Sequence, residues 1–278
     1  MQRSFKDSKA TLFLVSTPIG HLKDITFRAI ETLKEVSAIF AEDTRTSIKL
    51  LNHYQIKKPL YSYHEHNKMD RMSLMIHMLE KGEHIALISD AGTPGISDPG
   101  YEIIKEVIAK DYHVVSIPGA TALTTALVVS GLPLDSFTFI GFLPRKQSDL
   151  ESKLSNYKTH KETLIIYESP KRVQKTLHQL FKSFGNRKIA VCRELTKTYE
   201  TIIRTDLMTA NTIEHELRGE YVLVIEGAKK EEKHKALDIP SLVKYYIDLG
   251  YDEKEAMKLC AKDKQITKSE VYKVYKIK

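Results

Sequence analysis

Ser89 to Gly100 reads Ser-Asp-Ala-Gly-Thr-Pro-Gly-Ile-Ser-Asp-Pro-Gly. Three glycines, two prolines and two aspartates in twelve residues exclude a regular helix or strand, because proline lacks a donor and glycine loses the most entropy on ordering. Such a stretch suits a ligand held by main chain. Glycine lets the backbone approach closely, and unpaired amides bind polar or anionic groups. The same composition also suits a rigid connection, so residue types alone leave both readings open. A second set of candidates pairs carboxylates with cations. Asp43 and Glu168 could act as bases, while Arg45, Lys171, Arg172 and Arg193 could hold phosphates. Asp43–Arg45 and Arg193–Glu194 read equally well as structural ion pairs and helix caps. His64-Glu65-His66 would put two imidazoles on one side of a strand, but no third ligand follows at a zinc spacing, so no metal site is expected. The glycine-rich dinucleotide and P-loop fingerprints and the serine-hydrolase elbow are missing. Cys192 and Cys260 stand alone, which supports neither a disulfide nor a thiolate metal site.

The elements that must position these residues follow from apolar periodicity. His84–Ile88 reads as a buried strand emptying into the Ser89–Gly100 loop, and Tyr101–Ala109 as the helix after it. Ligands in α/β proteins are gripped at such strand ends. Thr11–Val15, Ala38–Ala41 and Val114–Ile117 read as further strands. Each runs into a polar or glycine-bearing loop and then a helix, the signature of βα winding in a mostly parallel sheet. Asp24 is the expected cap of a helix bearing Ile25, Ala29, Leu33 and Val36. Lys68–Leu79 is expected to be helical, with Met69, Met72, Met75 and Ile76 as core fillers.

Past Gly131-Leu132-Pro133 the pattern changes. Strands are expected over Phe137–Phe142, Thr163–Tyr167, Lys188–Cys192, Tyr199–Arg204 and Tyr221–Glu226, and helices near Pro170–Phe184 and Asp206–Leu217. The short gap before Tyr199 predicts an antiparallel hairpin, hence a mixed sheet. Pro144–His160, polar and lysine-rich, is expected to be mobile with one short helix. Lys229–Lys235 reads as a charged linker. Three short helices follow over Pro240–Leu249, Asp252–Ala261 and Thr267–Lys276, the last two with helix-turn-helix proportions. The expected domains are thus 11–120, 121–228 with a mixed sheet, and a basic helical tail, 229–278.

At 278 residues the chain can bury a substantial core. No apolar run approaches the roughly 20 residues of a membrane span, and the amino terminus has no secretory pattern, so a cytoplasmic protein without a membrane partner is expected. The formal charge of +7 is concentrated at the end: 13 lysines oppose 9 acidic residues over 229–278. Such a tail suits a polyanion, nucleic acid first, or is a solvated surface.

The longer motifs add a resemblance. SDAGTPGISDPGYE, with LVSTPIGHLKDITFRAIETLKEV, AEDTR, IPGATAL, YESPKR and CRELTKTYE, resembles the small-subunit ribosomal RNA methyltransferase I family from Thr11 to Glu226, in the same order. The implied architecture is α/β, a two-domain tetrapyrrole-methylase-like (class III methyltransferase) fold with a small C-terminal helical tail. The implied activity is methylation of the 2′-hydroxyl of a cytidine in the decoding region of 16S rRNA, with S-adenosylmethionine held between the domains of a homodimer. By the same resemblance Pro18, Ala91, Gly92, Thr93, Ile96, Thr121, Ala122 and Tyr167 bind the cofactor. Thr93 stands where tetrapyrrole methylases commonly carry an aspartate. Lys268 and Lys273 of the tail join the candidates for RNA contact. Two other readings share the pattern: a porphyrinoid C-methyltransferase, and a non-catalytic RNA-binding protein of ribosome assembly.

Overall fold

A computed structural model describes residues 2–4, 6, 9–229 and 237–276. The expected linker lies outside the described residues from position 230 onward. The chain divides into two units, Met1–Ala228 and Lys229–Lys278.

The first unit begins with β1 (Thr11–Val15), α1 (Phe27–Glu35), β2 (Ala38–Ala41), α2 (Thr44–His53) and β3 (Leu60–Ser62). It continues through α3 (Lys68–Glu80), β4 (Ile85–Ile88), α4 (Tyr101–Ala109) and β5 (His113–Ile117). These strands form one sheet of order β3-β2-β4-β1-β5, with every pairing parallel. β2 and β4 are buried at every position, because helices cover both faces of a parallel sheet. Ile39, Ala41, Ala86 and Ile88 pack with Leu33 of α1 and Leu51 of α2. The alternate residues Ala38, Phe40, Ile85 and Leu87 pack with Met75 of α3 and Val107 of α4. Each such large side chain contributes about 1.5–3 kcal/mol by leaving water.

Three local expectations change here. Strand β3 is not anticipated, since three half-buried residues are too few for a legible alternation. The cap of α1 is Thr26, whose Oγ1 accepts the Ala29 N–H at 3.1 Å, while Asp24 ends a 3-10 turn. On α3, Met75 and Ile76 are buried but Met69 is exposed.

The chain then forms α5 (Ala122–Val129), β6 (Phe137–Phe142), α6 (Gln147–Tyr157), β7 (Thr163–Glu168) and α7 (Val173–Phe184). It ends this unit with β8 (Lys188–Arg193), β9 (Thr201–Asp206), α8 (Leu207–Ala210) and β10 (Tyr221–Ile225). The second sheet runs β6-β7-β10-β8-β9. It is mixed: β6 and β7 are parallel, the remaining pairs antiparallel, and β8–β9 is the expected hairpin. Pro144–His160 contains the expected helix as α6, and its Leu150 and Leu154 pack in the core. The helix expected over Asp206–Leu217 stops at Ala210. There the Asn211 side-chain amide donates to the Leu207 carbonyl at 2.7 Å, competing with helix continuation.

Leu164, Ile166, Leu223 and Ile225 face α6, α7 and α8. The opposite face, with Ile165, Tyr167, Val222 and Val224, packs on Ala126 and Leu127 of α5 and on Ile19 from the loop after β1. This shared cluster sets the carboxyl-terminal strand ends of the first sheet beside the second sheet.

The second unit contains α9 (Ile239–Asp248), α10 (Glu253–Lys264) and α11 (Lys268–Lys276) around Leu242, Val243, Met257, Cys260 and Val271. Asp238 and Asp252 cap α9 and α10. Thr267 and Glu270 form a reciprocal capping box before α11. Among the described residues no helix is long and apolar enough to cross a membrane.

Candidate active site

The loops leaving β1, β2, β4 and β5 are tied together at their bases. Thr17 and Gly92 exchange both backbone hydrogen bonds, at 2.8 and 3.1 Å, which joins the loops after β1 and β4. The Ser16 and Thr93 hydroxyls lie 2.9 Å apart, and the Ser16 N–H donates to the Ile117 carbonyl at 3.3 Å. The Asp43 N–H donates to Asp90 Oδ1 at 3.0 Å. Gly92 holds φ at +85°, a conformation that a residue with a Cβ adopts only at a cost of about 1–2 kcal/mol. The bridge to Thr17 therefore depends on a glycine at that position.

Over this framework opens a cavity of about 380 Å³, within the usual range for small-molecule sites. Ala91, Gly92, Thr93 and Ile96 form one side, Thr121 and Ala122 a second, and Phe142, Tyr167 and Val222 of the second sheet a third. Thr121 caps α5. The Leu123 N–H, in the first turn of that helix, donates to Tyr167 Oη at 2.9 Å. This bond ties the start of α5 to β7. Burial pushes the Tyr167 phenol up to about 12, so it keeps its proton.

The rim is acidic. Glu42, Asp90 and Asp98 all line the cavity. Burial, then the charges of Glu42 and Asp90, pushes Asp98 up to about 7. Glu42 and Asp90 are raised too, by burial first and then by neighbouring carboxylates. Three carboxylates that resist ionising together make a region of negative potential that would favour a bound cation.

Seven of the eight cofactor residues named from sequence line this cavity: Ala91, Gly92, Thr93, Ile96, Thr121, Ala122 and Tyr167. Pro18 does not; it is buried in the wall of an adjoining cavity. Of the two catalytic candidates, Glu168 lines this cavity and Asp43 does not. Asp43 caps α2, accepting the Arg45 N–H at 2.8 Å, and pairs with the Arg45 guanidinium at 2.7 Å. That pairing holds its carboxyl at about 2, a weak base at neutral pH. The Glu168 side chain is wholly withdrawn from solvent. It accepts from the Ser169 N–H at 2.8 Å and the Thr176 hydroxyl at 2.6 Å, with Arg172 at 3.5 Å.

The cations named for RNA divide in the same way. Arg172 donates to the carbonyls of Leu143 and Pro144, and Arg193 to that of Arg218, so both brace loops. Arg45, Lys171, Lys268 and Lys273 are exposed. Sequence reasoning missed Glu42, Asp90, Asp98, Phe142 and Val222. Asp98 lies in the motif already singled out, and its raised affinity for a proton comes from neighbours that only folding supplies. Nothing in the local sequence marks Phe142 or Val222.

A family profile described as Tetrapyrrole (Corrin/Porphyrin) Methylases matches residues 11–211. Among solved structures, a diphthine synthase superposes with a TM-score of 0.61 at 13% identity, covering 78% of this chain and 90% of that one. A cobalt precorrin-4 methyltransferase superposes with a TM-score of 0.59 at 15% identity, covering 78% and 94%. At such identities these two establish the fold alone. The sequence relatives are much nearer. Ribosomal RNA small subunit methyltransferase I of Halalkalibacterium halodurans is 48% identical over 97% of this chain and 96% of its own. That of Bacillus subtilis is 46% identical over 100% and 98%, and that of Pasteurella multocida 46% over 80% of each. With its two-sheet fold and nearly full-length similarity, the chain belongs to the ribosomal RNA small subunit methyltransferase I family, within the tetrapyrrole methylases.

Proposed function

We propose that this protein transfers a methyl group from S-adenosylmethionine to the 2′-hydroxyl of a cytidine in the decoding region of 16S rRNA, acting on the small ribosomal subunit as a cytoplasmic homodimer. The observation that carries the reading is the cavity between the strand ends of one sheet and the face of the other. Its walls are loop backbone and apolar side chains, and its rim is acidic. Those residues fit the cofactor. Ile96, Phe142, Tyr167 and Val222 offer apolar surface for an adenine ring. Main chain at Gly92 and at the start of α5 offers close approach, and Glu42, Asp90 and Asp98 offer a counter-charge for a sulfonium.

When bound, the cofactor supplies an electrophilic methyl group, so the protein's task is to position the reactants and exclude water. The bridge between Thr17 and Gly92 and the bond from Leu123 to Tyr167 fix two walls before any ligand arrives. A carboxylate at the rim is available to take the hydroxyl proton. The exposed lysines of α11 supply cations for phosphates, which set affinity and orientation more than sequence choice.

The decisive experiment is mass spectrometry of nucleosides from 16S rRNA of a strain lacking the gene. Loss of one 2′-O-methylcytidine, restored by the gene, is the expected result. An unchanged nucleoside profile would remove the proposed substrate. Sedimentation of the purified chain tests the dimer.

A further inference from the structure

Beside the cavity assigned to the cofactor lies a second, of about 430 Å³. The two share Ile19, Asp90, Ala91 and Glu220, so they meet along the loops after β1 and β4. The far wall of the second cavity is α2, which contributes Ser47, Lys49 and Leu50. Ser47 is 3% exposed and its Oγ has no hydrogen-bond partner. A buried hydroxyl left unpaired is destabilising, and a ligand in the cavity would supply the missing partner. Lys49 is exposed and has no carboxylate partner among the described residues.

At the seam between the cavities stands Asp90. Its Oδ1 accepts the Asp43 N–H, and no other hydrogen bond to its carboxylate occurs among the described residues. Of the three raised carboxylates, Glu42 and Asp98 line the first cavity alone, whereas Asp90 lines both. Glu220 also reaches both, but Lys197 holds it at 2.9 Å.

We infer that the second cavity seats the target nucleoside, turned out of its RNA strand, with Ser47 hydrogen-bonded to it, Lys49 on a flanking phosphate and Asp90 at the 2′-hydroxyl. The inference rests on the reading of the chain as an rRNA 2′-O-methyltransferase. Enzymes that do chemistry on a base draw the nucleotide out of the stack into a pocket, and the same extrusion would bring this ribose beside the methyl donor, while phosphate contacts fix the register of the strand. In the transfer, the 2′-oxygen forms its bond to the methyl carbon as the carbon–sulfur bond breaks. The bonding pair stays with sulfur, which becomes a neutral thioether, and the hydroxyl proton passes to Asp90. Burial, and to a lesser degree the charge of Asp43, raise the proton affinity of Asp90, while the Asp43 N–H bond and then Arg45 on α2 oppose them. The charge of Asp90 in turn raises Glu42 and Asp98.

The test uses the full-length chain and small subunits from a strain lacking the gene. Ser47→Ala and Lys49→Glu should leave S-adenosylmethionine affinity within about twofold, measured by calorimetry. Each should weaken cofactor-free subunit binding and raise KM by about tenfold, the effect of losing one contact of about 1.4 kcal/mol. Lys49→Glu should also flatten the salt dependence of subunit binding. Asp90→Asn keeps an acceptor for the Asp43 N–H and should lower kcat by about a hundredfold or more. Lys49 is exposed, so its variant carries the test if Ser47→Ala does not fold. Subunit binding and KM unchanged in Lys49→Glu, or an unchanged kcat in Asp90→Asn, would overturn the inference while a working wild type preserved the parent reading. A wild type that transfers no methyl to these subunits would overturn both.

Discussion

Replacing Tyr167 with phenylalanine removes one oxygen from the wall of the cavity proposed for the cofactor and nothing else. The ring should stay, since it packs edge-on against Phe139 and Phe142 at centroid distances of 4.8 and 5.7 Å. What goes is the acceptor for the Leu123 N–H. That amide lies in the first turn of α5, where no intrahelical partner exists, and the Thr121 side chain serves Thr124 instead. The lost bond and the partly buried amide left behind together cost about 1–2 kcal/mol. For a folded unit spanning Met1–Ala228, each kcal/mol shifts Tm by about 2–4 °C, so a fall of about 2–8 °C is expected. Thr121 and Ala122 line the same cavity. Loosening their helix end should therefore weaken S-adenosylmethionine binding by about three- to tenfold, or about 0.7–1.4 kcal/mol. Scanning fluorimetry with and without cofactor, together with calorimetric titration, reads both quantities. Tyr167→Leu, which also removes the ring, should be worse in each. A Tyr167→Phe protein with wild-type Tm and wild-type affinity would refute the argument that this bond holds the cavity wall.

Three further outcomes are expected. Asp98 keeps its proton up to about pH 7 in the folded chain but would lose it near 3.8 when unfolded, so the folded state binds more protons in between and stability falls as pH rises from about 4 to 7. Asp98→Asn should therefore gain stability over wild type at pH 8 more than at pH 5, by on the order of 1–2 kcal/mol once solvent screening is allowed for, read from denaturant melts; an equal gain at both pH values would show that Asp98 does not titrate as described. Gly92→Ala should destabilise by about 1–2 kcal/mol through its positive φ. Its new Cβ meets Ile19 Cγ2 and the Ala120 carbonyl at 3.4 and 3.6 Å, which is no gross overlap, so a variant as stable as wild type in denaturant melts would mean that the backbone there adapts freely. Truncation after Ala228 should leave S-adenosylmethionine binding intact but reduce methylation of small subunits and flatten its salt dependence; a folded, dimeric truncation working at the full rate would exclude the tail from RNA binding.

The sequence by itself determined the winding, the motif loop and the family. β1, β2 and β4 are legible because each is a short apolar run followed by a breaker and a helical period, and those signals are local. Ser89–Gly100 is legible for the same reason: its glycines and prolines limit the backbone before any neighbour is known. Element ends depend on competition between neighbouring side chains for the same backbone groups. Thr26 rather than Asp24 caps α1, and Asn211 halts α8 by reaching the Leu207 carbonyl. The roles of charged residues were decided only by the tertiary structure. Asp43 and Glu168 have the residue type of a base, but only folding shows that Arg45 lowers the proton affinity of Asp43 and that Glu168 lies in the cavity wall against Thr176 and Arg172. Asp90 and Asp98 sit in the motif without any local mark of reactivity. Their raised proton affinity comes from burial and from carboxylates brought by another strand end. Ionisation depends on the field and solvent around a group, and both are properties of the folded chain.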